Sequence, residues 1–213
     1  MEEMTSQLRN RMWDSDAESH AYAFLKKFLN TDSYELFPHV VLRDVFKDLD
    51  IAIRDLHVDF LVVTKKGNPV LGIEINGPHH QNNKSFKARD TIKQELFSEH
   101  SLSLVFVPIC EISDVEDDDL KSEDNSKNKY IQKLETIITD FITPYCYHIN
   151  IPAYCDKCNQ MMDFYYNNKQ SFKNNNHKSN KFYMCNNCKS DNDPEKPFIK
   201  DAMDIKPPFK LNK

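Results

Sequence analysis

Residues 57–63 read HVDFLVV, residues 70–77 read VLGIEING, and the segment KKGN at 65–68 lies between them. The β-branched and aromatic residues favour two strands, and the Gly-Asn pair favours a tight turn, so the stretch predicts a hairpin. Asp59 and Glu74 each have apolar residues on both sides. A carboxylate buried in a strand is costly unless it is paired or binds a cation. Since paired strands lie about 5 Å apart, the hairpin would bring both carboxylates together as a site for a divalent metal ion.

The polar residues of this region resemble, in their order, those of a nuclease superfamily. The ordered set is Asp59, the hairpin, Glu74-Ile75-Asn76-Gly77, His80, Asp90 and Lys93. It is similar to the PD-(D/E)XK nucleases, and more narrowly to a branch of bacterial domains related to very-short-patch-repair endonucleases. In that branch the second strand reads Glu-x-Asp-Gly-x-x-His, and a helix with Asp-x-x-Lys/Arg follows. The resemblance covers roughly residues 15–108 and implies an endonuclease that hydrolyses DNA with Mg²⁺ or Mn²⁺.

The resemblance also implies a role for each acidic residue. Asp59 and one oxygen of Glu74 would bind the metal ion, and the backbone carbonyl of Ile75 would be a further ligand. Glu18 has two interpretations. It completes a capping box with Ser15 at the start of a helix, and in the superfamily an acidic residue of the first helix often approaches the metal site.

The lysine that the superfamily has two residues after the glutamate is absent, because Asn76 occupies that position. Asparagine carries no charge and cannot act as a base, so hydrolysis needs a substitute. Lys93 lies where a displaced lysine is often found, and His80 could activate water or protonate the leaving oxygen. The alternative for Lys93 is a surface ion pair with Asp90, and for His80 it is a plain loop histidine.

The flanking sequence predicts a mixed α/β fold. A helix should run from Ser15 to about Leu29, followed by a strand over 35–42 that Pro38 restricts to an edge or end position. A second helix over 86–98 and a strand over 101–108 should follow the hairpin. This order predicts a mixed central sheet flanked by helices, as in restriction endonucleases. His39 is expected to be a surface or loop histidine.

The chain divides into a larger domain and a small appendage. Residues 1–148 should form the nuclease-like domain, with its core at about 15–110, an acidic loop at 111–128 and a closing helix at 130–143. Residues 149–195 should form a zinc ribbon, and residues 196–213 a tail.

The appendage contains two C-x-x-C motifs, Cys155/Cys158 and Cys185/Cys188. Four thiolates with this spacing suit a tetrahedral structural Zn²⁺ site, similar to the four-cysteine ribbons of bacterial topoisomerases. Cys110 and Cys146 are expected to be buried thiols outside this site. Aromatic and basic residues of the ribbon are candidates for stacking on bases and binding phosphates, or else for the ribbon's own core. The candidates for nucleic-acid contact are Tyr165, Tyr166, Lys169, Lys173, Lys178 and Lys181.

The composition of the chain indicates its expected cellular location and partners. The formal net charge is −5, but residues 149–213 carry eleven lysines against seven acidic residues, which is compatible with binding nucleic acid. The sequence has no apolar run of about 20 residues and no signal-peptide pattern, so we expect a cytoplasmic protein with reduced cysteines and no membrane contact. DNA is the expected partner, with RNA as an alternative.

Two other functions remain open from the sequence. Asn76 favours a degenerate nuclease fold that binds nucleic acid or protein without catalysis. The ribbon and the acidic loop would also suit an adaptor that docks a protein partner. A homodimer also remains open.

Overall fold

The computed structural model describes residues 15–47, 49, 53, 55–77, 84–109, 123–147, 151–166 and 181–210. The helices are α1 (Asp16–Phe28), α2 (Leu42–Val45), α3 (Lys84–Glu99) and α4 (Glu123–Ile142), and short 3₁₀ helices cover Thr143–Cys146 and Ala202–Asp204. The strands are β1 (Tyr34–Val41), β2 (His57–Thr64), β3 (Pro69–Asn76), β4 (Ser103–Pro108), β5 (Asp163–Tyr166), β6 (Lys181–Lys189) and β7 (Pro197–Asp201). In these described ranges, no helix is both long and apolar enough to cross a membrane.

The larger sheet has the strand order β1-β2-β3-β4. β2 pairs antiparallel with β1 and β3, whereas β4 runs parallel to β3 after the α3 crossover. The mixed α/β sheet predicted from the sequence is therefore confirmed, and so is the edge position of β1, the strand that contains Pro38.

Helices cover both faces of this sheet. One core cluster joins apolar residues of α1 and α4 to the sheet, and Leu25, Ile138 and Ile73 lie at its centre with no exposed surface. A second cluster on α2 and α3 includes Leu42 and Phe97. α1 starts with the predicted capping box, in which Ser15 Oγ accepts a hydrogen bond from the Glu18 N–H at 3.2 Å.

α3 lies unusually close to β3 because Gly72 has no side chain. A Cβ atom there would lie 2.6 Å from Cε1 of Phe97. Phe97 and Lys93 share a face of α3 since they are four residues apart, and Gly72 and Glu74 share a face of β3 since they are two residues apart. The close packing therefore brings Lys93 over Glu74.

The start of α4 differs from the boundary that the sequence predicted. α4 begins at Glu123, seven residues before the closing helix expected at 130, so the acidic segment ends earlier than 128. A helix can begin within an acidic segment, because its dipole favours negative charge near its N-terminus. The polarity of this segment therefore did not indicate a loop.

The segment expected to be a tail is part of the fold. β7 pairs with β6, with Ile199 opposite Met184, and so adds a third strand to the small sheet. Further on, Phe209 is fully buried and forms a bridge with Leu29. The Asn30 N–H also donates to the carbonyl of Pro208 at 2.8 Å. These contacts fix the C-terminal segment against the end of α1.

Candidate functional site

Asp59 and Glu74 face each other across the hairpin. Phe60 pairs with Ile73 in the antiparallel register, so the next position along places Asp59 opposite Glu74. The N–H of Ile75 donates to Asp59 Oδ2 at 2.7 Å. Asp59 is 8% exposed and Glu74 is 2% exposed, so the two carboxylates predicted from the sequence meet inside the protein.

Burial makes negative charge unfavourable here. Desolvation is the main reason why the pKa of Glu74 rises to about 8, and the charge of Asp59 raises it further against the opposing effect of Lys93. Desolvation also raises the pKa of Asp59, although the hydrogen bond from Ile75 and the charge of Lys93 oppose that shift. A site that disfavours its own carboxylate charges would be stabilised by a bound cation.

Lys93 supplies one positive charge directly. Its Nζ lies 2.8 Å from both oxygens of Glu74, and the residue is only 8% exposed. A surface ion pair with Asp90 is therefore the wrong interpretation for Lys93. The structure brings Lys93 to Glu74 from α3, and its role as a displaced nuclease lysine stays a prediction.

Asn76 and Asp90 form a second layer beside the carboxylates. The Asn76 Nδ2 donates to Asp90 Oδ2 at 3.4 Å. Asn76 Oδ1 is buried and accepts no hydrogen bond from the described residues. Asp90 adds to the forces that raise the pKa of Glu74, so it belongs to the electrostatic surroundings of the site.

The capping interpretation of Glu18 is confirmed, and its approach to a metal site stays a prediction. Its Oε1 accepts a hydrogen bond from Ser15 Oγ at 3.0 Å within the capping box. Its Oε2 lies 3.3 Å from His39 Nε2, and the charge of His39 in turn lowers the pKa of Asp59. Glu18 therefore caps α1 and contacts His39, whose charge acts on Asp59.

Sequence reasoning missed the position of His39. The residue lies within β1 with a side chain 25% exposed, and its ring centroid is 5.9 Å from that of His57 on β2. Only the register of β1 on β2 reveals this proximity to Asp59. A histidine after Pro38 gives no sign of that register by itself.

A family model described as "Protein of unknown function (DUF2726)" matches residues 14–123, more than half of the chain. The chain belongs to the DUF2726 family. The matched segment contains the whole four-stranded sheet together with Glu18, Asp59, Glu74 and Asp90. No curated protein and no solved structure matches the chain significantly.

The four cysteines lie outside the DUF2726 segment and form a separate site. The sulfur atoms of Cys155, Cys158, Cys185 and Cys188 all lie within 4.8 Å of one another. In the part of the chain that the structure describes, no other set of three or more Cys, His, Asp or Glu ligand atoms is so compact. These four sulfurs could hold a metal ion, as the two C-x-x-C motifs predicted.

The surroundings of the first C-x-x-C motif favour the thiolate form of Cys155. Burial alone would raise the pKa of Cys155, but backbone N–H groups of Cys158 and Lys157 donate to its sulfur and bring the pKa down to about 7. Cys146, expected to be buried, is half-buried next to the Ile142 carbonyl. Cys110 lies outside the described residues.

Polar contacts anchor the cysteine region to the DUF2726 domain. Asn68 lies in the hairpin turn, and Asn159 follows the first C-x-x-C motif. Their side-chain amides donate to each other's carbonyl oxygens at 2.7 and 2.9 Å. The Tyr154 hydroxyl donates to the carbonyl of Pro69. The hairpin turn at this junction follows Thr64, the last residue of β2. Because Thr64 is five residues from Asp59 along the strand, the junction is about 17 Å from the carboxylates.

A cavity of about 320 Å³ opens at the same junction, between Lys66, Tyr154 and Lys206. It is therefore separate from the carboxylate site.

Several predicted contact residues cannot be placed. His80, Lys169, Lys173, Lys178 and the side chain of Tyr166 lie outside what the structure describes. Tyr165 is 38% exposed and stacks on Phe182, with 5.7 Å between the ring centroids. Lys181 opposes Tyr166 in the β5–β6 register. Tyr165 thus presents a partly exposed aromatic surface.

Proposed function

We propose that this DUF2726 chain is a Mg²⁺- or Mn²⁺-dependent nuclease that hydrolyses phosphodiester bonds of DNA. The observation that carries the proposal is the buried Asp59–Glu74 pair with Lys93 on Glu74. Nothing in the packing of a sheet requires two facing carboxylates in its interior, and their burial is costly. The ordered resemblance to PD-(D/E)XK nucleases gives the same interpretation.

The residues fit a hard divalent cation. Asp59, Glu74 and Glu18 are all buried acids, and Lys93 balances only one of their charges. Mg²⁺ keeps several water ligands and commonly needs only one or two protein carboxylates together with substrate phosphate. Asp59, one oxygen of Glu74 and the carbonyl of Ile75 would hold the ion. When bound, it would polarise the phosphate and lower the pKa of a water ligand.

The protein's own groups would prepare the site. Lys93 offsets the charge of Glu74 and would stabilise the negative charge that develops on the phosphate. The hydrogen bond from the Ile75 N–H holds the Asp59 carboxylate in place. Asn76, which stands where the superfamily has lysine, would orient groups by hydrogen bonding without transferring a proton.

The cysteine site would hold Zn²⁺ in a structural role. Four sulfur ligands leave no open coordination position for chemistry. The exposed face of Tyr165 would suit stacking on a nucleic-acid base, and the lysines of the same region would bind phosphates.

A catalytically inactive binding module is the second candidate function. Two observations favour it: Asn76 replaces the expected lysine, and Lys93 already contacts both oxygens of Glu74. Such a module would bind DNA, with an affinity that falls steeply as salt rises, but would not cut it.

A cleavage assay separates the two candidates. Supercoiled, linear and single-stranded DNA would be incubated with zinc-loaded protein in Mg²⁺ or Mn²⁺. We expect cleavage that Asp59→Asn and Glu74→Gln both abolish. Asp55→Asn is the matched control, because Asp55 is exposed and pairs with Arg43. Absence of cleavage on every substrate by a folded protein would refute the nuclease proposal.

A further inference from the structure

The side-chain oxygen of Asn76 is a buried acceptor that lacks a donor. Asn76 Oδ1 accepts no hydrogen bond from any residue in the part of the chain that the structure describes. A buried polar atom without a partner is costly, because it has lost its hydrogen bonds to water. Since most buried polar atoms in folded proteins have a partner, such an exception often marks the position of a bound ion or water.

Asp90 fixes the orientation of the Asn76 amide. The Asn76 Nδ2 donates to Asp90 Oδ2 at 3.4 Å. An ionised carboxylate only accepts hydrogen bonds, so it favours the NH₂ group of an amide over the amide oxygen. Exchanging the two amide atoms would place Oδ1 against a carboxylate oxygen. Asn76 therefore keeps Oδ1 turned away from Asp90, where it can accept a different partner.

Asn76 lies beside the two carboxylates of the candidate site. It shares a face of β3 with Glu74, because the two residues are two positions apart. Asp59 accepts a hydrogen bond at 2.7 Å from the N–H of Ile75, the residue between them. Asn76 thus adds a third oxygen-bearing side chain to the pair formed by Asp59 and Glu74.

A neutral carbonyl oxygen at this position suits a hard divalent cation. Mg²⁺ and Mn²⁺ accept amide and backbone carbonyl oxygens as well as carboxylates. Both oxygens of Glu74 contact the ammonium group of Lys93, whereas Asn76 Oδ1 has no donor to give up among the described residues. The amide oxygen would also bind the ion without adding another negative charge to the buried carboxylates.

We infer that Asn76 Oδ1 is a ligand of the divalent cation, beside Asp59 and Glu74. This inference rests on the metal site of the nuclease proposed above. Asn76 supplies an oxygen ligand in place of the superfamily lysine, while Lys93 supplies the positive charge from α3. Asparagine at this position then completes the metal site instead of disabling it.

Calorimetric titration of the zinc-loaded full chain with Mn²⁺ tests this ligand. Asn76→Ala removes the oxygen and should lower the Mn²⁺ affinity by about tenfold or more. Even residues that only support a metal ligand commonly change metal affinity by about 10- to 100-fold. Asn192→Ala is the matched control, because Asn192 is exposed in the loop between β6 and β7. Circular dichroism would confirm that each variant is folded.

An exchange of the two residues distinguishes a metal ligand from a structural hydrogen bond. The double variant Asn76→Asp/Asp90→Asn keeps the total charge of the pair and can keep its hydrogen bond, with donor and acceptor reversed. It places an anionic oxygen at the proposed ligand position. Its Mn²⁺ affinity should rise by about fivefold or more, because affinity increases with the charge of the ligands. The exchange variant also decides the question if Asn76→Ala does not fold.

The outcomes separate this inference from the proposed function. A wild-type protein that binds no Mn²⁺ overturns the nuclease proposal and the inference together. If the wild type binds Mn²⁺ and Asn76→Ala binds it within about twofold of the same affinity, the inference alone is wrong. An exchange variant that binds Mn²⁺ no more tightly than the wild type also overturns it. If Mn²⁺ binding depends on Asn76 but no DNA is cut, the inference stands and the nuclease proposal is wrong.

Discussion

Replacing Glu74 with glutamine should change how the stability of the protein depends on pH. Glu74 is 2% exposed, and burial, together with the charge of Asp59, raises its pKa from 4.5 to about 8. Glutamine has almost the same shape but cannot ionise. The substitution therefore removes the titration of this side chain and leaves the packing of β3 intact.

The magnitude follows from proton linkage. Between pH 4.5 and about 8, the unfolded chain has lost the proton of Glu74 while the folded protein still holds it. The stability that protonated Glu74 contributes is therefore fully present below pH 4.5. This contribution falls as pH rises, by at most about 1.36 kcal/mol per pH unit. The upper limit over the whole window is roughly 5 kcal/mol, and we expect a change of at least about 2 kcal/mol between pH 5.5 and 8.

Urea unfolding followed by circular dichroism measures this effect. Wild type and Glu74→Gln would be compared in zinc-loaded form at several pH values, without Mg²⁺ and at constant ionic strength. Groups that do not interact with Glu74, including the cysteines, cancel in the difference between their unfolding free energies. Glu35→Gln is the control, because Glu35 is half-exposed and pairs with Lys65; this variant should keep the pH dependence of the wild type.

The result that would refute the reasoning is a parallel pair of curves. If the difference between wild type and Glu74→Gln stays within about 0.5 kcal/mol across the pH range, Glu74 does not have a raised pKa. Added Mg²⁺ supplies a second check. It should stabilise the wild type more at pH 8 than at pH 5.5, because metal binding requires ionised carboxylates.

Three further substitutions test the packing of the carboxylate site and of the C-terminal segment. Gly72→Ala should destabilise the protein by about 1–3 kcal/mol, because the new methyl group overlaps the ring of Phe97; unchanged urea unfolding would contradict the close packing of α3 on β3. Lys93→Met should cost about 3–5 kcal/mol by leaving the carboxylates without their buried cation, and saturating Mg²⁺ should recover part of that loss. Phe209→Ala should cost about 3–5 kcal/mol in the same assay, whereas a detached tail would give a change near zero.

The hairpin and its two carboxylates could be predicted because their signals are local. Asp59 and Glu74 interrupt apolar strands, and a tight turn between strands fixes which residues meet. The two C-x-x-C motifs are similarly local, since each spacing places two sulfurs near one point. In each case the chemistry depends on residues that are close in sequence or joined by a short turn.

The missed features depend on contacts between distant parts of the chain. His39 reaches the site only through the register of β1 on β2, which no short-range pattern specifies. Phe209 is buried because the last residues return to α1, about 180 positions earlier in the sequence. Lys93 was a candidate from its spacing, but its contact with Glu74 depends on the space that Gly72 leaves for α3.

Calorimetric titration of the zinc-loaded protein with Mn²⁺ tests the central claim most directly. We expect one binding event in the wild type that Asp59→Asn removes and that Asp55→Asn leaves unchanged. The affinity should rise with pH, since the ion replaces protons on the buried carboxylates. Equal Mn²⁺ binding by wild type and Asp59→Asn would show that the hairpin carboxylates do not form a metal site.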